Sequence, residues 1–366
     1  MTKSYMQHRL FKFSQTLILL LVCLCGLTYL SSCGPEPPPE VILPGGGSDT
    51  TIIDITELPP VIIPEDNPLS VAGVDLGRHL FYDKMLSGDQ TQACATCHNQ
   101  KLAFTDNNKS VSEGITGAIG DRNAMSIFNL MWSNSLFWDS RAATLRELAT
   151  MPIENPIEMN AKVEDVLVRL NNSVMYQDKF KRTFGTDTIE KIHLEKALEQ
   201  FLLSITSDNS RFDKFNRGEV QLSEQELRGF DVLKIKGCFN CHSSSLLHDN
   251  RSHNTALDKN PTDVGLKGFT GKNDDRHKFK TPSLRNIMVS APYMHDGRFE
   301  TIDEVIRFYE DVMPNLKLAV NSNASDSMEI APRNKITERE MTDLKVFLNS
   351  LTDDTYLTNP KYSDPF

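Results

Sequence analysis

The sequence lacks an excess of positive charge, long alternating runs of apolar and polar residues, and an apolar run that spans a bilayer comfortably. Its 39 basic and 49 acidic residues give a net charge of −10, which offers no electrostatic support for nucleic-acid binding. The 366 residues are 39% hydrophobic and 24% charged, which excludes a disordered tail protein, a collagen-like fibre and a polytopic membrane protein. Because alternating sheet patterns are absent, we expect a mainly α-helical chain. The length of 366 residues suggests about two domains.

Residues 1–32 are typical of a lipoprotein signal peptide. A basic start precedes an apolar stretch from Leu17 to Leu30, which has the length of a signal-peptide core. The sequence LSSCG (30–34) resembles a bacterial lipobox, in which Cys33 is lipidated and becomes the first mature residue. A plain N-terminal membrane anchor is the alternative. Both interpretations predict export, and the first predicts a lipid anchor facing the periplasm of a Gram-negative bacterium.

The segment 33–55 is rich in proline and glycine, which sustain neither a helix nor a sheet interior. We interpret it as a tether that holds the folded part away from the membrane. A disordered leader without such a role is the alternative.

Four of the seven cysteines lie in two copies of the pattern C-x-x-C-H, CATCH at 94–98 and CFNCH at 238–242. This pattern attaches a c-type haem, because two thiols three residues apart reach both vinyl groups and the next histidine ligates the iron. Zinc rarely requires a histidine directly after each C-x-x-C pair, and a disulfide would not explain the histidines. We therefore predict two covalent haems, held by Cys94, Cys97 and His98 and by Cys238, Cys241 and His242.

Helix signals surround both motifs. Apolar spacing predicts helices over Pro68–Tyr82 and Thr188–Ile205. Capping boxes predict the start of three more helices, at Ser223–Glu226, Thr301–Glu304 and Thr337–Glu340. We expect two cytochrome c-like haem domains with long loops, an N-terminal peroxidatic domain over 56–208 and a C-terminal electron-transfer domain over 209–366.

Six longer motifs carry a resemblance to the bacterial di-haem cytochrome c peroxidase and MauG family over about residues 60–352. They are CATCHNQKLAFTD (94–106), DRNAMSIFN (121–129), FWDSRA (137–142), MPIENPIEM (151–159), FKTPSLRN (279–286) and APYMHDGRF (291–299). The resemblance implies that the N-terminal haem reacts with hydrogen peroxide and that the C-terminal haem receives electrons from a small cytochrome c or similar donor. It is compatible with a homodimer.

The family resemblance also bears on the open side of the first haem. Classical members have a removable histidine ligand at the position of Ile115, and isoleucine cannot ligate iron. The sequence has no histidine between His98 and His193, so we expect a five-coordinate first haem. His79 is the nearest alternative ligand. The family's distal glutamine falls on Leu148, which cannot hydrogen-bond to peroxide.

Three further residues are matched to catalytic roles by the resemblance. Glu158 matches the distal glutamate, which moves a proton from one peroxide oxygen to the other, and burial in an apolar pocket suits that role. Pro152 matches a proline that limits access to the iron. Trp138 matches an electron relay between the haems. The alternative for Glu158 is a glutamate in a surface loop. The alternative for Trp138 is a tryptophan that packs in the hydrophobic core.

Calcium is a further expectation from the family pattern. Asn123 and the backbone carbonyls of Ser290 and Pro292 match a calcium site between the domains, and oxygen ligands suit that ion. Hydrogen bonding within a turn is the alternative.

The distal ligand of the second haem has three candidates. In the family, the methionine ligand lies fourteen residues beyond the histidine that corresponds to His295. That position here is Tyr309, and MauG-like members have tyrosine there. Met294 and Met313 are the alternatives, because methionine is common on electron-accepting haems. Surface or structural roles are expected for the histidines outside the motifs, which are His193, His248, His253 and His277.

The sequence thus favours a c-type di-haem peroxidase that reduces hydrogen peroxide to water. Ile115, Leu148 and Tyr309 favour the alternative of a MauG-like oxidase that modifies a partner protein. A di-haem electron carrier without catalysis is the third hypothesis, and it predicts two six-coordinate haems.

Overall fold

The computed structural model describes residues 59–60, 63–258, 261–312, 317–319, 327–329 and 335–366. The predicted signal peptide, the tether, Cys33 and Met313 lie outside the described residues. The helices are α1 Val71–Tyr82, α2 Cys94–Cys97, α3 Leu145–Glu154, α4 Val163–Asn171, α5 Val174–Phe184, α6 Lys191–Ser204, α7 Arg211–Asn216, α8 Glu224–Ile235, α9 Lys267–Thr270, α10 Ile302–Val312, α11 Glu338–Asn349 and α12 Asp354–Thr358. None of the helices in the described ranges combines the length and the apolar character that a membrane span requires.

The strands are short and confirm a mainly α-helical fold. Strand β1 (Ser252–His253) pairs antiparallel with β2 (Phe279–Lys280), and β3 (Lys317–Ala319) pairs antiparallel with β4 (Ser327–Glu329). In the first pair Ser252 lies opposite Lys280.

Several helices begin where the sequence predicts a cap. Ser223 caps α8 and Thr337 caps α11, each in a capping box with the glutamate three residues later. Helix α1 begins at Val71 rather than Pro68, because Ser70 accepts a hydrogen bond from the Gly73 N–H and ends the extended segment before it.

Two helix pairs cross closely, and each crossing depends on a glycine. A Cβ atom on Gly77 of α1 would lie 2.0 Å from the carbonyl oxygen of Ala197 on α6. A Cβ atom on Gly229 of α8 would lie 2.1 Å from the carbonyl oxygen of Asp343 on α11. Both distances are shorter than a van der Waals contact, so a larger residue at either glycine would force the helices apart.

The buried apolar residues form two clusters. The first cluster draws mainly on α1 and α3 to α6, and the second on α7, α8, α10 and α11. Tyr356 and Tyr362 belong to the first cluster although they follow the whole second cluster in sequence. Tyr82 donates a 2.7 Å hydrogen bond to the carbonyl of Tyr362, and Tyr356 donates one of 2.8 Å to the carbonyl of Ile127. The predicted domain boundary after residue 208 stays a prediction.

A buried ion pair joins α7 to the loop before α10. Arg285, 2% exposed, donates two hydrogen bonds of 2.7 and 2.8 Å to the carboxylate of Asp213. The Arg285 guanidinium also donates to the backbone carbonyls of Ser207 and Ser245. A buried charge is tolerated when it is paired and hydrogen-bonded in this way.

Candidate functional site

The first C-x-x-C-H motif forms the short helix α2 and the residue after it. Ala103 and Phe104 have left-handed backbone conformations, with φ of 54° and 59°, which turn the chain back toward the motif. The carbonyl of Phe104 then accepts a 2.6 Å hydrogen bond from His98 Nδ1. Burial lowers the pKa of His98, which favours the neutral ring. The protonated Nδ1 leaves Nε2 free to bind a metal, as metal-ligating histidines commonly do.

The second motif has the same arrangement. Cys238–Asn240 form a 3₁₀ turn, and His242 Nδ1 lies 3.2 Å from the carbonyl oxygen of Leu247. Leu247 also has a left-handed backbone, with φ of 56°. Burial lowers the pKa of His242 as well. Both motif histidines can therefore present a neutral Nε2.

Each motif borders its own cavity. A cavity of about 260 Å³ is lined by Cys94, Cys97 and His98, and one of about 250 Å³ by Cys238, Cys241 and His242. All four of these cysteines are free thiols. Free thiols, a neutral imidazole and a mostly apolar wall on each cavity suit a covalently bound haem.

Helix α3 and the turn after it bring the predicted distal residues to the first cavity. Leu148 and Pro152 lie one turn apart on α3, and both line the cavity with Glu158. Asn155 ends the helix and donates a 2.7 Å hydrogen bond from Nδ2 to Glu158 Oε1. Glu158 is therefore a cavity residue with a fixed carboxylate rather than a surface glutamate.

The electrostatic surroundings of Glu158 suit proton transfer. Burial raises the pKa of Glu158, while the hydrogen bond from Asn155 and the positive charge of Arg141 lower it. Arg141 lines the same cavity, and its guanidinium lies 3.7 Å from the centre of the Phe137 ring. A raised pKa makes a carboxylate a stronger base, which suits a group that accepts a proton and then returns it.

Neither Ile115 nor His79 lines the first cavity. The Ile115 N–H donates a 3.0 Å hydrogen bond to the carbonyl of Glu158, and its Cδ1 lies beside Gly88. His79 Nδ1 lies 2.7 Å from the carbonyl oxygen of Asp75, and its ring packs edge-on against Phe366. Among the described residues that line this cavity, His98 is the one histidine.

Trp138 lines both cavities. Its indole Nε1 donates a 2.9 Å hydrogen bond to the backbone carbonyl of Asn123, and its own carbonyl accepts a 2.8 Å bond from the Lys280 N–H. An aromatic ring in this position can serve as a relay between groups in the two cavities.

The residues predicted to bind calcium line the second cavity together. These are Asn123, Ser290 and Pro292. Asn123 Nδ2 donates to the carbonyls of Lys109 and Ser110, so its Oδ1 points elsewhere. Within the described residues, no group donates a hydrogen bond to this Oδ1 or to the carbonyls of Ser290 and Pro292. Three oxygen atoms without a protein donor fit a hard cation.

The second cavity holds two of the predicted axial ligands. Tyr309 on α10 and Met294 both line it. Burial raises the pKa of Tyr309, so the phenol is protonated at neutral pH unless a cation binds its oxygen.

Three buried side chains of the second cavity were missed as site residues. His248 and His253 are 7% and 5% exposed, and Lys280 is 7% exposed. Burial lowers the pKa of His253, but contacts with Asp249, whose Oδ2 lies 2.7 Å from Nε2, and with the Cys241 thiol outweigh it and raise the pKa to about 9. The motif FKTPSLRN includes Lys280, whereas no local pattern marks the two histidines.

Residues 71–221 match the family described as di-haem cytochrome c peroxidase. The matched segment contains the first C-x-x-C-H motif, Trp138 and Glu158.

Individual relatives extend the similarity to most of the chain. The methylamine utilization protein MauG of Methylorubrum extorquens is 34% identical over 302 residues, which cover 79% of this chain and 80% of the relative. The cytochrome c551 peroxidase of Nitrosomonas europaea is 31% identical over 293 residues, which cover 78% and 86%. A solved MauG-like protein associated with microbial copper homeostasis has a TM-score of 0.76 and 36% identity, and the alignment covers 85% of this chain and 98% of that one.

Proposed function

Because the chain belongs to the family of di-haem cytochrome c peroxidases and MauG proteins, we propose that it is an exported c-type peroxidase. It reduces hydrogen peroxide with two protons and two electrons to two water molecules. The electrons come from a small cytochrome c or a similar donor. The observation that carries the proposal is the partly buried carboxylate of Glu158, which lines the first cavity and accepts a hydrogen bond from Asn155.

The family implies two c-type haems, and each bound haem supplies the redox chemistry of its iron. Cys94, Cys97 and His98 would hold the first haem. Cys238, Cys241 and His242 would hold the second, and Tyr309, favoured over Met294, would supply a further ligand to its iron. Asn123, Ser290 and Pro292 would hold calcium.

The residues of the first cavity handle the protons and the substrate. Glu158 Oε accepts a proton from one peroxide oxygen and returns it to the oxygen that leaves as water. The hydrogen bond from Asn155 keeps the carboxylate in place between these two transfers. Pro152 and Leu148 give the cavity an apolar wall that limits the entry of water. Trp138 relays electrons from the second cavity to the first.

Turnover of the holoprotein with hydrogen peroxide and reduced cytochrome c tests this proposal. We expect catalytic oxidation of the cytochrome, and we expect Glu158→Gln to lose nearly all of it. The matched control is Glu154→Gln, because Glu154 is an exposed glutamate near the same helix end and lines neither cavity. Unchanged turnover in Glu158→Gln would overturn the role of Glu158.

A second candidate function is a MauG-like oxidase that modifies a partner protein. Leu148 favours it, because the first cavity has an apolar side chain where the peroxidases of the family have a glutamine. This function is favoured if the peroxide-treated holoprotein oxidises cytochrome c slowly and oxidises a partner protein instead.

The third hypothesis is an electron carrier without catalysis. Two low-spin haems in the ferric protein would favour this hypothesis. A high-spin ferric signal in electron paramagnetic resonance would exclude it.

A further inference from the structure

Lys280 is a buried lysine without a carboxylate partner in the described structure. Its side chain is 7% exposed, and no carboxylate of the described ranges forms an ion pair with it. Its Nζ donates one hydrogen bond, of 2.5 Å, to the backbone carbonyl of Ser135. An ammonium group has three N–H donors, so two remain for another acceptor.

Burial without a counter-charge is costly for an ammonium group. It lowers the pKa of Lys280 to about 8, and no carboxylate of the described chain offsets that effect. The same positive charge contributes, after burial itself, to the lowered pKa of His248, which is about 4. Buried charges in proteins are usually paired, so the missing partner of Lys280 calls for an anion.

The position of Lys280 indicates where that anion lies. Lys280 lines the cavity of the first motif and also the cavity of the second. Its backbone N–H donates to the carbonyl of Trp138, and strand β2 fixes it opposite Ser252. The side chain is thus held at the point where the two cavities approach each other. Haem carries propionate carboxylates at its edge, so each cavity receives acidic groups when its haem is bound.

We propose that Lys280 is a shared cation that pairs with haem propionate and favours the reduced state of both haems. A buried positive charge interacts with each haem through a medium of low dielectric, so it stabilises the form that carries one more electron. This role depends on the two bound haems and not on the reaction with peroxide. It therefore stands or falls separately from the peroxidase function.

Redox titration of the holoprotein, followed by visible absorption, tests the proposal. We expect Lys280→Met to lower the equilibrium constant for reduction of each haem at least about tenfold, which is 59 mV for a one-electron couple. Lys280→Arg keeps the charge and should leave both potentials near those of the unmodified protein. The control Lys162→Met removes one exposed positive charge that lines neither cavity, and it should shift neither potential.

Two further measurements keep the result interpretable. Lys280→Gln lacks the charge but retains an N–H donor for the Ser135 carbonyl, so it serves if Lys280→Met loses haem or fails to fold. The propionate bending band in the resonance Raman spectrum should shift in the neutral Lys280 variants and stay unchanged in Lys162→Met. An unchanged potential for either haem, or an unchanged propionate band, in a folded and fully loaded neutral variant would overturn the proposal.

Discussion

Trp138 donates its indole N–H to the backbone carbonyl of Asn123 over 2.9 Å, and its ring borders the cavities of both C-x-x-C-H motifs. The hydrogen bond fixes the ring plane, and the residue that fixes it is the proposed calcium ligand. The proposed relay and the proposed calcium site therefore share Asn123.

Trp138→Phe should slow electron transfer to the first haem while the fold is kept. We expect turnover with cytochrome c to fall at least about tenfold, which corresponds to roughly 1.4 kcal/mol of activation free energy. Steady-state turnover and stopped-flow reduction of the first haem measure the effect. Trp132→Phe is the matched control, because Trp132 is the other tryptophan and donates to the carbonyl of Pro59. Equal rates in the two variants would contradict the relay role.

Asn155 should set the pH range in which Glu158 works. Its Nδ2 donor stabilises the ionised carboxylate and lowers the pKa of Glu158, so Asn155→Ala should raise that pKa. A base with a higher pKa is ionised only at higher pH, so the acidic limb of the pH–rate profile should move to higher pH.

Asn155→Asp sharpens this test. The aspartate keeps an acceptor for the Ile157 N–H, but it replaces the donor to Glu158 with a like charge. The acidic limb should therefore move further than in Asn155→Ala. A limb that stays in place in both variants would show that Glu158 does not control it.

Tyr309 and Met294 can be separated as ligands of the second haem. Tyr309→Phe should remove the distal ligand and convert the second ferric haem to high spin, whereas Met294→Leu should leave its spectrum unchanged. Tyr309→Met should raise the reduction potential, because methionine favours ferrous iron more than tyrosinate does. Absorption and electron paramagnetic resonance spectra record these changes. The opposite pattern in Tyr309→Phe and Met294→Leu would assign the ligand to methionine.

The ion pair between Arg285 and Asp213 should be sensitive to the loss of one partner. Arg285→Met leaves a buried aspartate without its counter-charge, so we expect about 3–5 kcal/mol less free energy of unfolding. Lys181→Met is the comparison, because Lys181 pairs with Asp187 at the exposed surface, where water screens the pair, so this substitution should cost far less stability than Arg285→Met. Urea denaturation of the holoproteins gives both values, and similar losses would contradict the effect of burial.

The sequence predicts the parts of this structure that depend on local chemistry. The capping residues Ser223 and Thr337 begin helices as expected, because a cap needs partners only three residues away. The two C-x-x-C-H motifs likewise place thiols and imidazole on one cavity each.

Contacts between distant segments were not predictable in the same way. Lys280 and Ser135 are 145 residues apart, and Asn155 acquires its role only because the turn after α3 faces the first cavity. His253 becomes a buried cavity residue through strand pairing with Phe279. In each case the neighbours, rather than the residue type or its spacing, decide the environment of the side chain.

Tyr356 and Tyr362 place the last members of the first cluster near the end of the sequence. A ribosome makes every residue of the second cluster, which ends at Leu351, before it makes these two tyrosines of the first cluster. A chain truncated after Leu351 would therefore keep every buried residue of the second cluster and lose Tyr356, Leu357 and Tyr362 from the first.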